Sequence, residues 1–372
     1  MIRILRQSAF FALLITGTLF LSSWGYQGHK KISEPAAPAL PSAVDFLKST
    51  WTAYLPAHAS DADYRKQSDP NESPRHFIDI DGYSAFVQNG KIPMSWDSIV
   101  AVYGYNYVID QGILPWATKT AYDSLKACFQ RTNWDRAAMF AADLGHYVGD
   151  GHMPLHITKN YNGQLTGQTG VHSRYETKMI NDYVGQIIYE TNEAQQVQDV
   201  QGYIFTYIYS NYKYVDSVLI ADRHASDSAG TTSGSAYLAA FWQNSGAFTT
   251  KLFKNASQSL ADLIYTAWVE AGSPTPQGVP GEPFASVMKE VFPNPGIDSV
   301  TIPFDIITGG IPVSLTILDN EGKIVENLLE NKILNLGSQE IIWNCAGKTP
   351  GMYYALLSSE GVFSVKKVVV VK

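Results

Sequence analysis

Apolar residues return at intervals of three and four along Ala117–Thr132, Asp135–Val148 and Arg174–Tyr189, which predicts amphipathic helices. The same period runs from Trp24 to about Ala271, so this stretch is expected to form an all-α domain. Pro154 is expected to end the helix that starts near Asp135, with a loop at Asn160–Gln164 and a Ser/Thr/Gly-rich surface loop at Ser226–Ser235. The Pro- and Gly-rich run from Gly272 to Pro283 suits neither helix nor strand, which puts a linker at 272–287. From residue 288 to 372 the period becomes two, in Val300–Asp305, Val313–Leu318, Glu340–Trp343, Met352–Leu357 and Val362–Val371. About five to seven short strands there predict a small all-β sandwich.

Arg3 and Arg6 precede an apolar run, Ala9–Leu21, followed by Ser22, Ser23 and Trp24. This is the layout of a secretory signal over residues 1–23, with the mature chain beginning at Trp24. The run is shorter than the ~20 residues a spanning helix needs, and no later segment is apolar enough to serve as an anchor.

Of the 372 residues, 45% are hydrophobic and 16% charged, a globular composition. A net charge of −7 argues against a broad basic face for nucleic acid, although metal ions in a cleft would reverse that sign locally. Cys128 and Cys345 are far apart and expected in different domains, so neither a disulfide framework nor a thiolate metal site is expected.

Four of the eight histidines, His146, His152, His156 and His172, fall in one short window with Asp150 and Glu176. His146 and Asp150 are four apart, as are His172 and Glu176, so each pair projects from one helical face. Imidazole nitrogen and carboxylate oxygen are the donors zinc takes, and a catalytic site keeps one position open.

The segments His146-Tyr-Val-Gly-Asp150-Gly-His-Met-Pro-Leu-His156 and Gly170-Val-His172-Ser-Arg-Tyr-Glu176 resemble the core of the zinc-dependent phospholipase C and S1/P1 nuclease superfamily. Trp24-Gly-Tyr-Gln-Gly-His29, Asp61-Ala-Asp63-Tyr-Arg65 and Arg75-His76-Phe-Ile-Asp79 are similar to its upstream motifs. The resemblance implies a helical phosphoesterase with three zinc ions. One ion would be held by Asp63, His76, His146 and Asp150, and a second by His156, His172 and Glu176. The third would take Trp24, through its freed α-amino group and carbonyl, with His29 and the bridging Asp150. Asp63 resembles the family's candidate for orienting or deprotonating water, and Asp150 joins it in catalysis as the bridging carboxylate.

Asp61 competes with Asp63 for the ligand role, two positions away in what reads as a loop. Asp79 is a candidate to support a ligating imidazole. Arg65 or Lys66 is placed to contact phosphate. His152 is off the ligand pattern, His58 and His224 read as surface residues, and Trp96, Trp116, Trp134 and Tyr147 read as core. Glu176 and its neighbours resemble the phospholipase C branch, whereas the Trp24–His29 spacing and Arg75–Asp79 are more similar to the nuclease branch. The expected substrate is therefore a phospholipid head group, with single-stranded nucleic acid or a nucleotide as the alternative. A binding protein in which zinc serves only as a structural staple is the reading from another class. A monomer is expected.

Val291-Phe-Pro-Asn-Pro295, Val313–Asp319, Gly351-Met-Tyr353 and the end of the chain from Lys366 to Lys372 resemble a type IX secretion sorting domain. That resemblance implies a partnership with the secretion machinery and a secreted or cell-surface location reached through the periplasm. A carbohydrate- or surface-binding sandwich is the alternative.

Overall fold

The computed structural model describes residues 25–276, 286–306 and most of 310–372. The expected signal segment 1–23, Trp24 and the greater part of the linker lie outside the described residues. The chain divides into two compact units between Pro274 and Thr275.

The first unit is helical. Its main elements are Gly25–Ser33, Asp45–His58, Leu114–Gln130, Trp134–Gly151, Val200–Tyr212, Tyr214–Ala229 and the 36-residue helix Ser235–Glu270. At 1.5 Å per residue the last is about 54 Å long. It buries Phe241, Phe253, Leu260 and Ile264, and it packs on the helices Leu114–Gln130, Trp134–Gly151 and Tyr214–Ala229.

The helix Trp134–Gly151 carries half of the central signal. Asn133 caps it by accepting the Arg136 backbone N–H at 3.2 Å, a bond worth ~1 kcal/mol. Its C-terminal half is wholly buried from Leu144 to Gly151. Gly149 lets the helix Gly25–Ser33 come close, because a Cβ there would sit 2.9 Å from His29 Nδ1. The glycine costs about 1 kcal/mol of helix propensity relative to alanine, which the close approach offsets.

Three local expectations change. The helix expected to run on to Tyr189 ends by Gln186, and residues 187–197 form neither helix nor strand. The Ser226–Ser235 loop shrinks to the turn at 230–234, because Tyr214–Ala229 stays helical until Gly230 turns left-handed at φ +66. Asp61–Arg65, read as loop, forms a short helix.

In the second unit seven strands are described: β1 (Ser286–Met288), β2 (Ser299–Ile306), β3 (Pro312–Leu318), β4 (Ile324–Ile333), β5 (Gly337–Asn344), β6 (Gly351–Ser359) and β7 (Val362–Val370). They form two antiparallel sheets, ordered β1-β2-β5 and β4-β3-β6-β7, which makes the unit a small sandwich. Alternate residues of β3, Val313, Leu315 and Ile317, are buried with Phe304, Trp343 and Leu357 between the sheets. Strand β4 escaped the period-two reading because charged and polar residues interrupt it and it is largely exposed. Cys128 and Cys345 are both free and lie in different units.

Candidate metal centre

Five imidazoles and three carboxylates converge inside the first unit. Their donor atoms form three groups, each within 4.8 Å: His29, His146 and Asp150; Asp63, His76 and His146; and His156, His172 and Glu176. Eight of the nine residues expected at the site are thus gathered, and the ninth, Trp24, lies outside the described residues.

Asp150 is the hub. Its Oδ2 is 3.0 Å from His76 Nδ1 and 3.4 Å from His146 Nε2, and its Oδ1 is 3.1 Å from His156 Nδ1 and 3.6 Å from His29 Nε2. In the third group, His172 Nε2 lies 3.1 Å from Glu176 Oε2 and 3.2 Å from His156 Nε2. His29 stacks on His146 with ring centroids 3.9 Å apart.

Two imidazoles are oriented by the backbone. His146 Nδ1 faces the Ala59 carbonyl at 2.8 Å and His172 Nδ1 faces the Tyr161 carbonyl at 3.1 Å. Each Nδ1–H is used on backbone, so each Nε2 presents its lone pair to the cluster. A buried carboxylate oxygen and imidazole nitrogen facing one another normally share a well-aligned hydrogen bond. Asp150 Oδ1, His156 Nδ1 and Glu176 Oε2 are buried and close to one another's groups, yet none has a hydrogen bond of acceptable geometry. Other donors of the set do meet at hydrogen-bond distance, as His76 Nδ1 and Asp150 Oδ2 do at 3.0 Å, but buried donors left over within a converging N/O set are what a divalent cation such as zinc would satisfy.

The electrostatics follow from burial. Desolvation, helped by the neighbouring His146, lowers His29 to about 3, and desolvation likewise lowers His146 to about 3. Burial opposes protonation of His156 too, but the flanking carboxylates of Asp150 and Glu176 outweigh it and push that ring up to about 10. Burial would raise Asp150, yet His146 and His156 hold it well below the usual carboxylate range.

The elements explain the placement. His146 and Asp150 share the inner face of Trp134–Gly151. His172 lies in the helical turn Val171–Ser173, and Glu176 in a π-helical turn, Arg174–Met179. That wider turn, where a regular helix was expected, is fixed by Arg174. Its Nε and Nη2 donate to Asp222 Oδ1 and Oδ2 at 2.9 Å each, and it also donates to the carbonyls of Thr169 at 2.9 Å and Gln168 at 3.1 Å. Asp63 and Asp61, two apart on a short helix, point to different sides. Asp63 Oδ1 is 3.6 Å from His146 Nε2, whereas Asp61 pairs with His58 at 2.8 Å.

The carboxylate beside His76 is Glu72, not Asp79. Glu72 Oε1 lies 3.3 Å from His76 Nε2, and Tyr147 OH donates to the same oxygen. Burial would raise Glu72, but His76, Tyr147 and Arg65 outweigh it and bring it to about 2. Glu72 escaped the sequence reading although it stands four residues before His76, the spacing of the other two pairs. Asp79 instead donates its backbone N–H to the Gln111 carbonyl, and burial, then Asp81, push its carboxyl up to about 7. Arg65 is held by Asp143 at 2.9 Å and Glu72 at 3.4 Å, and Lys66 by Asp63 at 2.7 Å. His152 donates to or accepts from no cluster residue: its Nδ1 faces the Val148 carbonyl and its ring stacks on Tyr207 at 4.4 Å.

A cleft of about 540 Å³ opens beside Asp63, bordered by Tyr26, Tyr64, Thr177, Asn181 and Val184. Tyr26 is 49% exposed and Tyr64 59%.

Residues 290–371 match the family model of the secretion system C-terminal sorting domain. The protein is a secreted or cell-surface protein. The sorting domain implies the secretion machinery as a partner, and no described helix is long and apolar enough to cross a membrane. No curated protein matches the sequence. Among solved structures, the chain is similar to the alpha-toxin of Clostridium absonum, at 12% identity and a TM-score of 0.42, covering 96% of both chains. It is also similar to a Clostridium perfringens alpha-toxin from an avian strain, at 11% identity and a TM-score of 0.44, covering 93% of this chain and 96% of that one.

Proposed function

We propose that the first unit is a zinc-dependent hydrolase of phosphate esters, of the phospholipase C type. The observation that carries this reading is the reach of Asp150 into all three donor groups. Asp63, His76, His146 and Asp150 would hold one zinc, His156, His172 and Glu176 a second, and His29 with Asp150 and the Trp24 terminus a third.

Zinc held there supplies Lewis acidity, which makes a nucleophile of water near neutral pH and offsets charge on phosphoryl oxygens. The protein's own groups do the rest. Asp63 is the one acid of the cluster that borders the cleft, so it orients the attacking water and takes its proton. Lys66 is paired with Asp63 at 2.7 Å and Arg65 with Glu72 and Asp143, so both cations are already engaged. The second group has three protein ligands, which leaves a position for substrate and favours an enzyme over a structural staple.

The cleft supports a lipid head group. Its volume suits a small ligand, and its described lining holds no Arg or Lys to follow a polyanion. The exposed rings of Tyr26 and Tyr64 offer π faces to a quaternary ammonium. The same faces would stack on bases, which keeps an S1/P1-type nuclease as the second reading.

The test is to assay the form beginning at Trp24, with zinc, against a phosphatidylcholine analogue and single-stranded DNA in parallel. Cleavage of the lipid alone is expected. Cleavage of DNA alone moves the protein to the nuclease branch, and zinc uptake without either activity leaves the structural staple.

A further inference from the structure

Resting on the zinc reading above, we propose that Glu72 is a positioning residue that decides which nitrogen of His76 faces the metals. His76 is turned opposite to its neighbours. His146 and His172 give Nδ1–H to backbone carbonyls and aim Nε2 inward. In His76 the inward atom is Nδ1, which is 3.0 Å from Asp150 Oδ2, 3.0 Å from His146 Nε2 and 3.7 Å from Asp63 Oδ1. The outward atom, Nε2, is 3.3 Å from Glu72 Oε1, off the line of an ideal hydrogen bond but with no other hydrogen-bond partner.

A ring that must present Nδ1 needs its proton kept on Nε2, and an ionised carboxylate does this more firmly than a carbonyl. Glu72 is built for that. Its side chain is 0% exposed, and a carboxylate so placed persists only when paired. The pairing comes from Arg75 at 3.1 Å and Arg65 at 3.4 Å on Oε2, with Tyr147 OH on Oε1. Arg65 is itself anchored to Asp143, and Tyr147 stands on the helix that bears His146 and Asp150. The ligand helix thus steers the His76 ring through Glu72, even though His76 lies on a separate turn, Ser73–His76.

The test uses the full processed chain and compares wild type with Glu72→Leu and Glu72→Gln. Zinc affinity is read by competition with a chromophoric chelator, the cobalt(II)-loaded protein by its visible spectrum, and the metal-free protein by thermal melting. Glu72→Leu is expected to weaken one zinc site by ~10–100-fold and to change the cobalt spectrum. Glu72→Gln, which keeps an acceptor for Nε2–H, should restore part of that affinity and keep the wild-type metal-free melting temperature. Wild-type affinity and spectrum in both variants overturns the inference, as does an equal loss at every site in step with a lower metal-free melting temperature. If Glu72→Leu fails to fold, the spectrum and affinity of Glu72→Gln decide by the same criteria. Wild type that takes up no zinc sinks the underlying reading, and the inference with it.

Discussion

Asp150 Oδ1 lies 3.1 Å from His156 Nδ1, and this contact joins the third donor group to the other two. Asp150 is fully buried among four imidazoles, so its charge serves every group at once. Asp150→Asn keeps the shape and removes the charge. It is expected to release at least two of the three proposed ions and to lower phosphoesterase activity by ~100-fold or more. Metal analysis of the purified variant checks this, and a full zinc complement would remove Asp150 from the bridge.

Gly149 and His29 form a second coupling. A methyl group at Gly149 would lie 2.9 Å from His29 Nδ1 and 3.0 Å from Cε1, so the ring must move. Gly149→Ala should therefore lose the ion that depends on His29 while the helix, favoured by alanine, persists. Unchanged circular dichroism with reduced zinc content is the expected pair of results.

The pH response of the metal-free protein follows from the shifted imidazoles. His29 and His146, lowered by burial from the ordinary 6.5 to about 3, bind protons more readily in the unfolded chain, so stability falls as pH drops from 6.5 towards 3. Asp150 and Glu176, held low by their histidine neighbours against burial, act in the same direction. His156 is raised to about 10 against burial by Asp150 and Glu176, so its contribution is complete below 6.5 and is lost as pH climbs through 10. Melting temperature measured against pH without metal should peak near 6.5. Zinc should flatten the alkaline side, because a ligating imidazole no longer carries the proton.

Arg174 and Asp222 form a bidentate pair that is almost fully buried. Arg174→Met leaves the Asp222 carboxylate with the hydrogen bonds of Tyr237 and Gln168 but without its cation, and is expected to cost ~3–5 kcal/mol. The loss should appear in denaturant unfolding, and the released turn should also weaken zinc binding at His172 and Glu176. Replacing both residues by apolar ones should recover stability without recovering zinc.

Tyr64 stands beside Asp63, borders the cleft and is 59% exposed. Tyr64→Ala should raise KM for a phosphatidylcholine analogue by about 5- to 30-fold, the worth of ~1–2 kcal/mol of cation–π contact, with zinc content unchanged. An analogue whose head group lacks the positive charge should show no such penalty.

Much of this molecule was legible from spacing alone. The pairs His146/Asp150 and His172/Glu176 share faces because four residues make about one helical turn, and the change from apolar spacing of three and four to a period of two marked the passage from helix to sandwich. Asp61 and Asp63 could not be separated that way. Only the short helix Asp61–Arg65 turns Asp63 towards His146 and leaves Asp61 on His58.

The sequence by itself determined the donor types, the helical faces that carry them and the two-part plan of the chain, since all of these depend on neighbours within one turn or one strand. The tertiary structure alone decided that Glu72 and not Asp79 stands behind His76, that Arg65 is spent on Asp143, and that Arg174 holds a π-turn through Asp222. These contacts join residues 48 to 78 positions apart or turn on a 3-10 segment, so they are set by how helices pack and which buried charges must be neutralised. No local period encodes that requirement.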